Sequence, residues 1–232
     1  MLSKAELRAF FVFIMLNLFL KITLKMKVAI AESLQKSYSY LKYRTIVSQL
    51  IAEGKSSGNE QSEELLHYSD LNDTRMNRLD KKMVLSEENI QKLFSLQKKY
   101  VWLVISEGWC GDAAQILPIV NKMASIATNI ELKIAFRDEN DALISSFLTN
   151  GAKSIPKLIV LDAETLSVLG NWGPRPKGAS DFISSYKRQY GLIDEAAKTQ
   201  LQLWYLHDKG LGTQGELADL MVELDSLLHL KR

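Results

Sequence analysis

The sequence predicts an α/β fold: a mixed four-stranded sheet with helices on both faces and further helices appended at both ends. Three observations carry that prediction. Val101-Trp102-Leu103-Val104-Ile105 is an unbroken apolar, β-prone run, the pattern of a strand buried on both faces. Between residues 84 and 190 the stretches follow the order α-β-α-β-α-β-β-α, and strand–helix–strand units impose parallel pairing with right-handed crossovers. The last two strands are close enough to form a hairpin, which adds antiparallel pairing.

The elements justify themselves in chain order. Ala9 to Leu20 is an apolar run behind Lys4 and Arg8. It is short for a bilayer span and fits a signal-peptide core or an interfacial helix better. Ala29-Ile30-Ala31 mimics a cleavage site, but Lys21, Lys25 and Lys27 stand before it and oppose translocation. Translation from Met26 rather than Met1 would give a plain soluble opening. Residues 1–25 therefore read as an apolar extension, an upstream mis-start or an interfacial helix, outside the core. Tyr38, Leu41, Ile46, Val47, Leu50 and Ile51 recur at helical spacing, and Gly54 is a stop signal. Residues 55–59 form a polar loop. Leu65, Leu66, Leu71, Met76 and Leu79 mark a second helix, on which Asp70, Asp73 and Asp80 read as a solvated face. Ser86 caps a third, carrying Ile90, Leu93 and Phe94.

After the strand at 101–105, Gly111 to Ala127 has helical periodicity interrupted by Pro118, which kinks a helix. Ile130 to Phe136 alternates like a strand with one more polar face. Ala142 to Thr149 reads as a short helix stopped by Gly151, Lys157 to Leu161 as a strand, and Ser167 to Trp172 as its antiparallel partner. Helices follow over Gly178 to Tyr190, Glu195 to His207 and Thr213 to Leu230. Gly210 reads as a C-terminal glycine, and Thr213-Gln214-Gly215-Glu216 as a capping box. The expected organisation is an extension at 1–25, a helical extension at 26–83, the α/β unit at 84–190 and a helical extension at 191–232.

Composition excludes several function classes. Lys plus Arg total 29 against 27 Asp plus Glu, so no basic surplus points to nucleic acid. The one cysteine rules out an internal disulfide and fits a reducing cytosol, with membrane association through residues 9–20 the alternative. His67, His207 and His229 have no metal-ligand spacing, so no metal and no cofactor are expected. Gly210-Leu211-Gly212-Thr213-Gln214-Gly215 satisfies the dinucleotide pattern but follows a helix, and too little chain remains for a strand–helix–strand unit.

Chemistry concentrates at Ser106-Glu107-Gly108-Trp109-Cys110-Gly111-Asp112-Ala113, where a strand hands over to a helix. At a helix N-terminus the N–H groups and dipole favour a thiolate, so Cys110 is a candidate reactive thiol; the bland alternative is a small buried residue. Asp112 in the first turn opposes that thiolate or relays its proton, unless it is an ordinary helix-start acid. Trp109 either packs or meets substrate. Arg175, in a stiff Gly-Pro-Arg-Pro loop, binds an anion or is merely solvated. Arg137-Asp138-Glu139-Asn140 forms a turn, with no functional reading attached.

Trp109-Cys110-Gly111-Asp112-Ala113, Ser154-Ile155-Pro156-Lys157 and Trp172-Gly173-Pro174-Arg175-Pro176, with the element order, resemble the thioredoxin fold over roughly residues 84–190. The resemblance is closer to a bacterial thioredoxin-family group that carries helices before and after the core. It implies a three-layer sandwich in which Cys110 takes the place of the nucleophilic cysteine. Ala113 then replaces the resolving cysteine, and Asp112 the proline between the two. Pro118 matches the kinking proline. Pro156 matches the cis-proline that holds Ile155 open to an extended substrate beside Gly111 and Trp109. The family's buried strand acid falls at Val104, which is apolar. With no second thiol, the expectation is a monothiol thiol–disulfide oxidoreductase whose partners are a protein disulfide or a low-molecular-weight thiol. The alternative is a non-catalytic module capturing an extended segment beside Pro156. An iron–sulfur cluster shared across a dimer has only one cysteine per chain to hold it.

Overall fold

The computed structural model describes residues 4–230; Met1 and the rest of 1–3, and 231–232, lie outside the described residues. In chain order the elements are α1 (Lys4–Gln35), α2 (Tyr40–Ala52), α3 (Glu63–Lys82), α4 (Glu87–Phe94), β1 (Tyr100–Ser106), α5 (Gly111–Ile126) and β2 (Ile130–Phe136). There follow α6 (Asp141–Ile144), β3 (Lys157–Asp162), β4 (Val168–Trp172), α7 (Lys177–Tyr190), α8 (Glu195–Asp208) and α9 (Leu211–Leu230). Serine hydroxyls at Ser39, Ser62 and Ser86 accept from N–H groups three residues on and cap α2, α3 and α4.

β1 is the centre of the core, with all seven residues buried, as an unbroken apolar run requires. The sheet order is β2-β1-β3-β4, and helices pack around it in an α/β sandwich with extra helices at both ends. Trp102 is fully buried under α9, its Nε1 donating to Met221 Sδ. The outer edge of β2 is covered where Tyr38 exchanges two backbone hydrogen bonds with Ile134, which removes an open strand edge.

The expected parallel pairing holds for β1–α5–β2 and fails for β2–α6–β3, because β3 runs antiparallel to β1. The reason is length. The expected helix over Ala142 to Thr149 is only Asp141–Ile144, which rises ~6 Å, whereas a seven-residue strand spans about 23 Å. That single turn cannot carry the chain back along the sheet, so β3 enters beside the end of β1, with Lys157 opposite Ile105. The helix ends at Ile144, and beyond it Thr149 and Ala152 pair across Asn150 (φ +51) and Gly151 (φ +78), the two left-handed positions of an Asn-Gly hairpin turn.

Two other expectations are corrected. Asp73 and Asp80 are not a solvated face: both ion-pair with the buried Arg44 guanidinium, at 2.9 and 2.6 Å, and clamp α3 to α2. The capping box does not form either. α9 already starts at Leu211, where Asp208 accepts from Gly212 N–H. Gln214 instead accepts from the Ser86 N–H and donates to the Val84 carbonyl, and Glu216 accepts hydrogen bonds from Trp172 Nε1–H and Lys177 N–H. Tertiary partners outcompeted the local cap. Phe11, Phe13, Met15 and Leu16 are exposed on α1, and among the described residues no helix is long and apolar enough to cross a membrane.

Candidate functional site

β1, β2 and β3 all present the same end to one corner of the molecule, and Cys110 sits there. It is the N-cap of α5: its Sγ accepts from Ala113 N–H at 3.5 Å, and its thiol donates to the Ile155 carbonyl at 3.4 Å. The antiparallel entry of β3 is what brings Ile155 to the sulfur. The Ile155–Pro156 and Gly173–Pro174 bonds are cis. Gly173 has φ +108, and a Cβ there would lie 2.4 Å from the Pro156 carbonyl oxygen, so only glycine allows this approach. The packed loop delivers Arg175 to Asp112, Nη2 to Oδ2 2.6 Å apart, while the Tyr205 hydroxyl from α8 donates to Oδ1 at 2.9 Å.

The thiol is not primed as expected at a helix N-terminus. Burial, and secondarily the Asp112 charge, push it up to about 12; the Ala113 and Asp112 N–H groups and Arg175 pull the other way and lose. Cys110 is 8% exposed. Its surface still faces a cleft of about 800 Å³, within the range of small-ligand sites. Trp109, Gly111, Asp112, Ile155 and Arg175 line that cleft with it, whereas Pro156 is buried behind them. α3 and α8 supply the walls through Tyr68, Arg75, Leu201 and Gln202. Arg175 is therefore not free: Asp112 holds it while part of its side chain still meets solvent.

Sequence reasoning passed over Glu107. It is fully buried, and burial pushes its carboxyl up to about 6 against the opposing bonds from Ser57 and the Asp138 N–H. Ser57 donates to one carboxylate oxygen and accepts from Gly108 N–H at 2.8 Å; Asp138 N–H donates to the other oxygen at 3.0 Å. The turn at 137–140, given no role from sequence, thus braces the loop before the thiol. Arg137 also stacks over Trp109, 4.8 Å from the ring centroid, and Asp138 accepts from Asn59 N–H. The one available signal was an acid one serine beyond the apolar run at 101–105. Ser57, Arg75 and Tyr205 gave none, lying far off in sequence. Among the described residues no group of His, Cys, Asp or Glu is placed to hold a metal ion.

A family model described as thioredoxin matches residues 58–188, a segment that starts in the α2–α3 loop and takes in α3. No curated protein matches. Among solved structures, the crystal structure of an HIV epitope-scaffold is 18% identical, covering 83% of this chain and 98% of its own, with a TM-score of 0.44. A 1.5 Å crystal structure of a protein of unknown function from Pseudomonas aeruginosa is also 18% identical, covering 84% and 99%, with a TM-score of 0.45. Likenesses at that level bear on neither mechanism nor ligand.

Proposed function

The chain belongs to the thioredoxin family, and from that premise we propose that it is a monothiol thiol–disulfide exchange protein of the cytosol. The observation that carries the reading is the single thiol on the floor of a cleft, against the Ile155 carbonyl. Cys110 loses its proton to solvent and attacks one sulfur of a bound disulfide. That S–S bond breaks, a mixed disulfide forms on Cys110, and the other half departs as a thiolate that takes up a proton. An external thiol then attacks the mixed disulfide, restores Cys110 and completes the reduction. Ile155, held by Pro156, offers backbone to the substrate, and Trp109 and Gly111 border it. The Asp112 carboxylate, fixed by Arg175 and Tyr205, sets how readily the proton leaves. We read the chain as one of the helix-flanked bacterial group, a reading supported by its W-C-G-D-A motif. The thioredoxin-like unit is residues 84–190, with 26–83 and 191–232 as extensions that shape access.

A second reading has its own support. A thiol pushed up to about 12 is almost entirely protonated at neutral pH, which favours a cleft that binds without reacting. Against it, a thiolate of high basicity is intrinsically more nucleophilic once formed. Incubating the folded protein with 2-hydroxyethyl disulfide and reading its intact mass separates the two. The exchange reading expects an adduct on Cys110, formed about tenfold faster per pH unit with no plateau below about pH 10. An adduct seen only after unfolding leaves the binding reading standing.

A further inference from the structure

The cleft has a charge pattern that the exchange chemistry alone does not need. Two of its cations are cancelled within it, Arg175 by Asp112 and Lys198 by Glu195. Three more line it: Arg75, Arg137 and Lys153. Arg137 and Lys153 pair with Asp138 and Asp141, carboxylates that lie outside the lining. Arg75 makes no ion pair among the described residues. Its Nη1 donates to the Asn72 side-chain oxygen at 2.8 Å, and Asn72 in turn donates to the Gly108 carbonyl, so the guanidinium is tied to the loop that carries Cys110. A Cβ built on Gly111, the next residue, would lie 3.9 Å from that same Nη1. The guanidinium is also half-buried, so its charge is only partly met by water.

We propose that Arg75 marks an anion subsite beside Cys110, and that the disulfide or thiol exchanged there is a small carboxylate-bearing molecule. This rests on the monothiol reading and sharpens it. A carboxylate accepts two parallel hydrogen bonds from a guanidinium, which fixes the far end of the molecule while its sulfur faces Sγ. The charge of Arg75, which no carboxylate among the described residues offsets, attracts anions to the cleft, and salt screens that attraction.

Three symmetrical disulfides of different charge test this: 3,3′-dithiodipropionate (anionic), 2-hydroxyethyl disulfide (neutral) and cystamine (cationic). Adduct formation on Cys110 is measured at one pH in low salt and normalised to each probe's rate with N-acetylcysteine. The expected result is at least a tenfold normalised preference for the anionic probe. The preference should be lost in Arg75→Gln, only partly kept in Arg75→Lys, which retains the charge but not the two parallel donors, and reduced in 0.5 M salt. Equal normalised rates, or a preference for cystamine, overturn the subsite. If no probe reacts with the folded protein, the monothiol reading fails and the subsite is judged on binding alone. Adipate should then raise the melting temperature of Cys110→Ser but not of Cys110→Ser/Arg75→Gln, and equal responses overturn it.

Discussion

Glu107 and Asp112 bracket Cys110, one at the end of β1 and one in the first turn of α5, and both are at most 8% exposed. Their surroundings differ. Glu107 is met by neutral donors, the Ser57 hydroxyl and the Asp138 N–H, and burial still pushes its carboxyl up to about 6. Asp112 is met by the Arg175 guanidinium and the Tyr205 hydroxyl, and its charge bears instead on the neighbouring sulfur, raising the thiol. Hydrogen bonds from neutral groups satisfy lone pairs without replacing lost hydration of a charge, whereas a cation compensates the charge itself. The cation that makes this difference, Arg175, lies within residues 84–190, and one further partner of each acid, Ser57 and Tyr205, comes from outside them. Segments before residue 84 and after residue 190 therefore help hold both acids as well as wall the cleft.

Removing the cation should break the contrast most strongly. Arg175→Ala leaves Asp112 buried with one hydroxyl partner, and the expected loss is about 3 kcal/mol of stability in urea denaturation. A loss below about 1 kcal/mol would show that the ion pair does not compensate Asp112. Next in size is Glu107. Its folded value, about 6, lies above the ordinary 4.5, so folding takes up a proton between them. Its contribution is full below about pH 4.5 and is lost as pH rises through 6, amounting to about 2 kcal/mol. Stability measured from pH 4 to 8 should show that fall in the wild type, superimposed on other groups, and Glu107→Gln should remove it.

Asp112→Asn sharpens the comparison from the sulfur's side. With the carboxylate charge gone, the pH profile of Cys110 alkylation should move down by about one unit, burial remaining the larger cause. An unchanged profile would sink the assignment of Asp112 as an opposing charge. The smallest effect is expected of Tyr205→Phe, which removes one hydrogen bond while Arg175 stays. It should cost about 1 kcal/mol and leave the Glu107-dependent pH slope intact.

The frame of the molecule was legible because its signals are local. The apolar run at 101–105, the strand pattern at 130–136 and the Ser86 cap each state their element within a few residues. Reading failed where a residue's partner lay far along the chain. Gln214 and Glu216 have the spacing of a helix cap but spend their side chains on Ser86 and Trp172. Asp73 and Asp80 have the spacing of a solvated face but meet Arg44. The helix at 142–149 was over-extended because Gly151 was read as its stop, whereas it ends at Ile144 and Asn150-Gly151 turns a separate hairpin. At the site, Trp109, Cys110, Gly111, Asp112, Ile155 and Arg175 were singled out from sequence and line one cleft. Glu107, Ser57, Arg75 and Tyr205 were not.

By itself the sequence determined the order of strands and helices, the single sulfur and its place at a strand-to-helix junction, since periodicity and residue type act over one turn or one strand. The tertiary structure alone decided the direction of β3, the approach of Ile155 to the thiol and the ionisation of that thiol. Burial and charge are set by whatever packs around an atom, and around Cys110 the packing groups come from five separate stretches of chain.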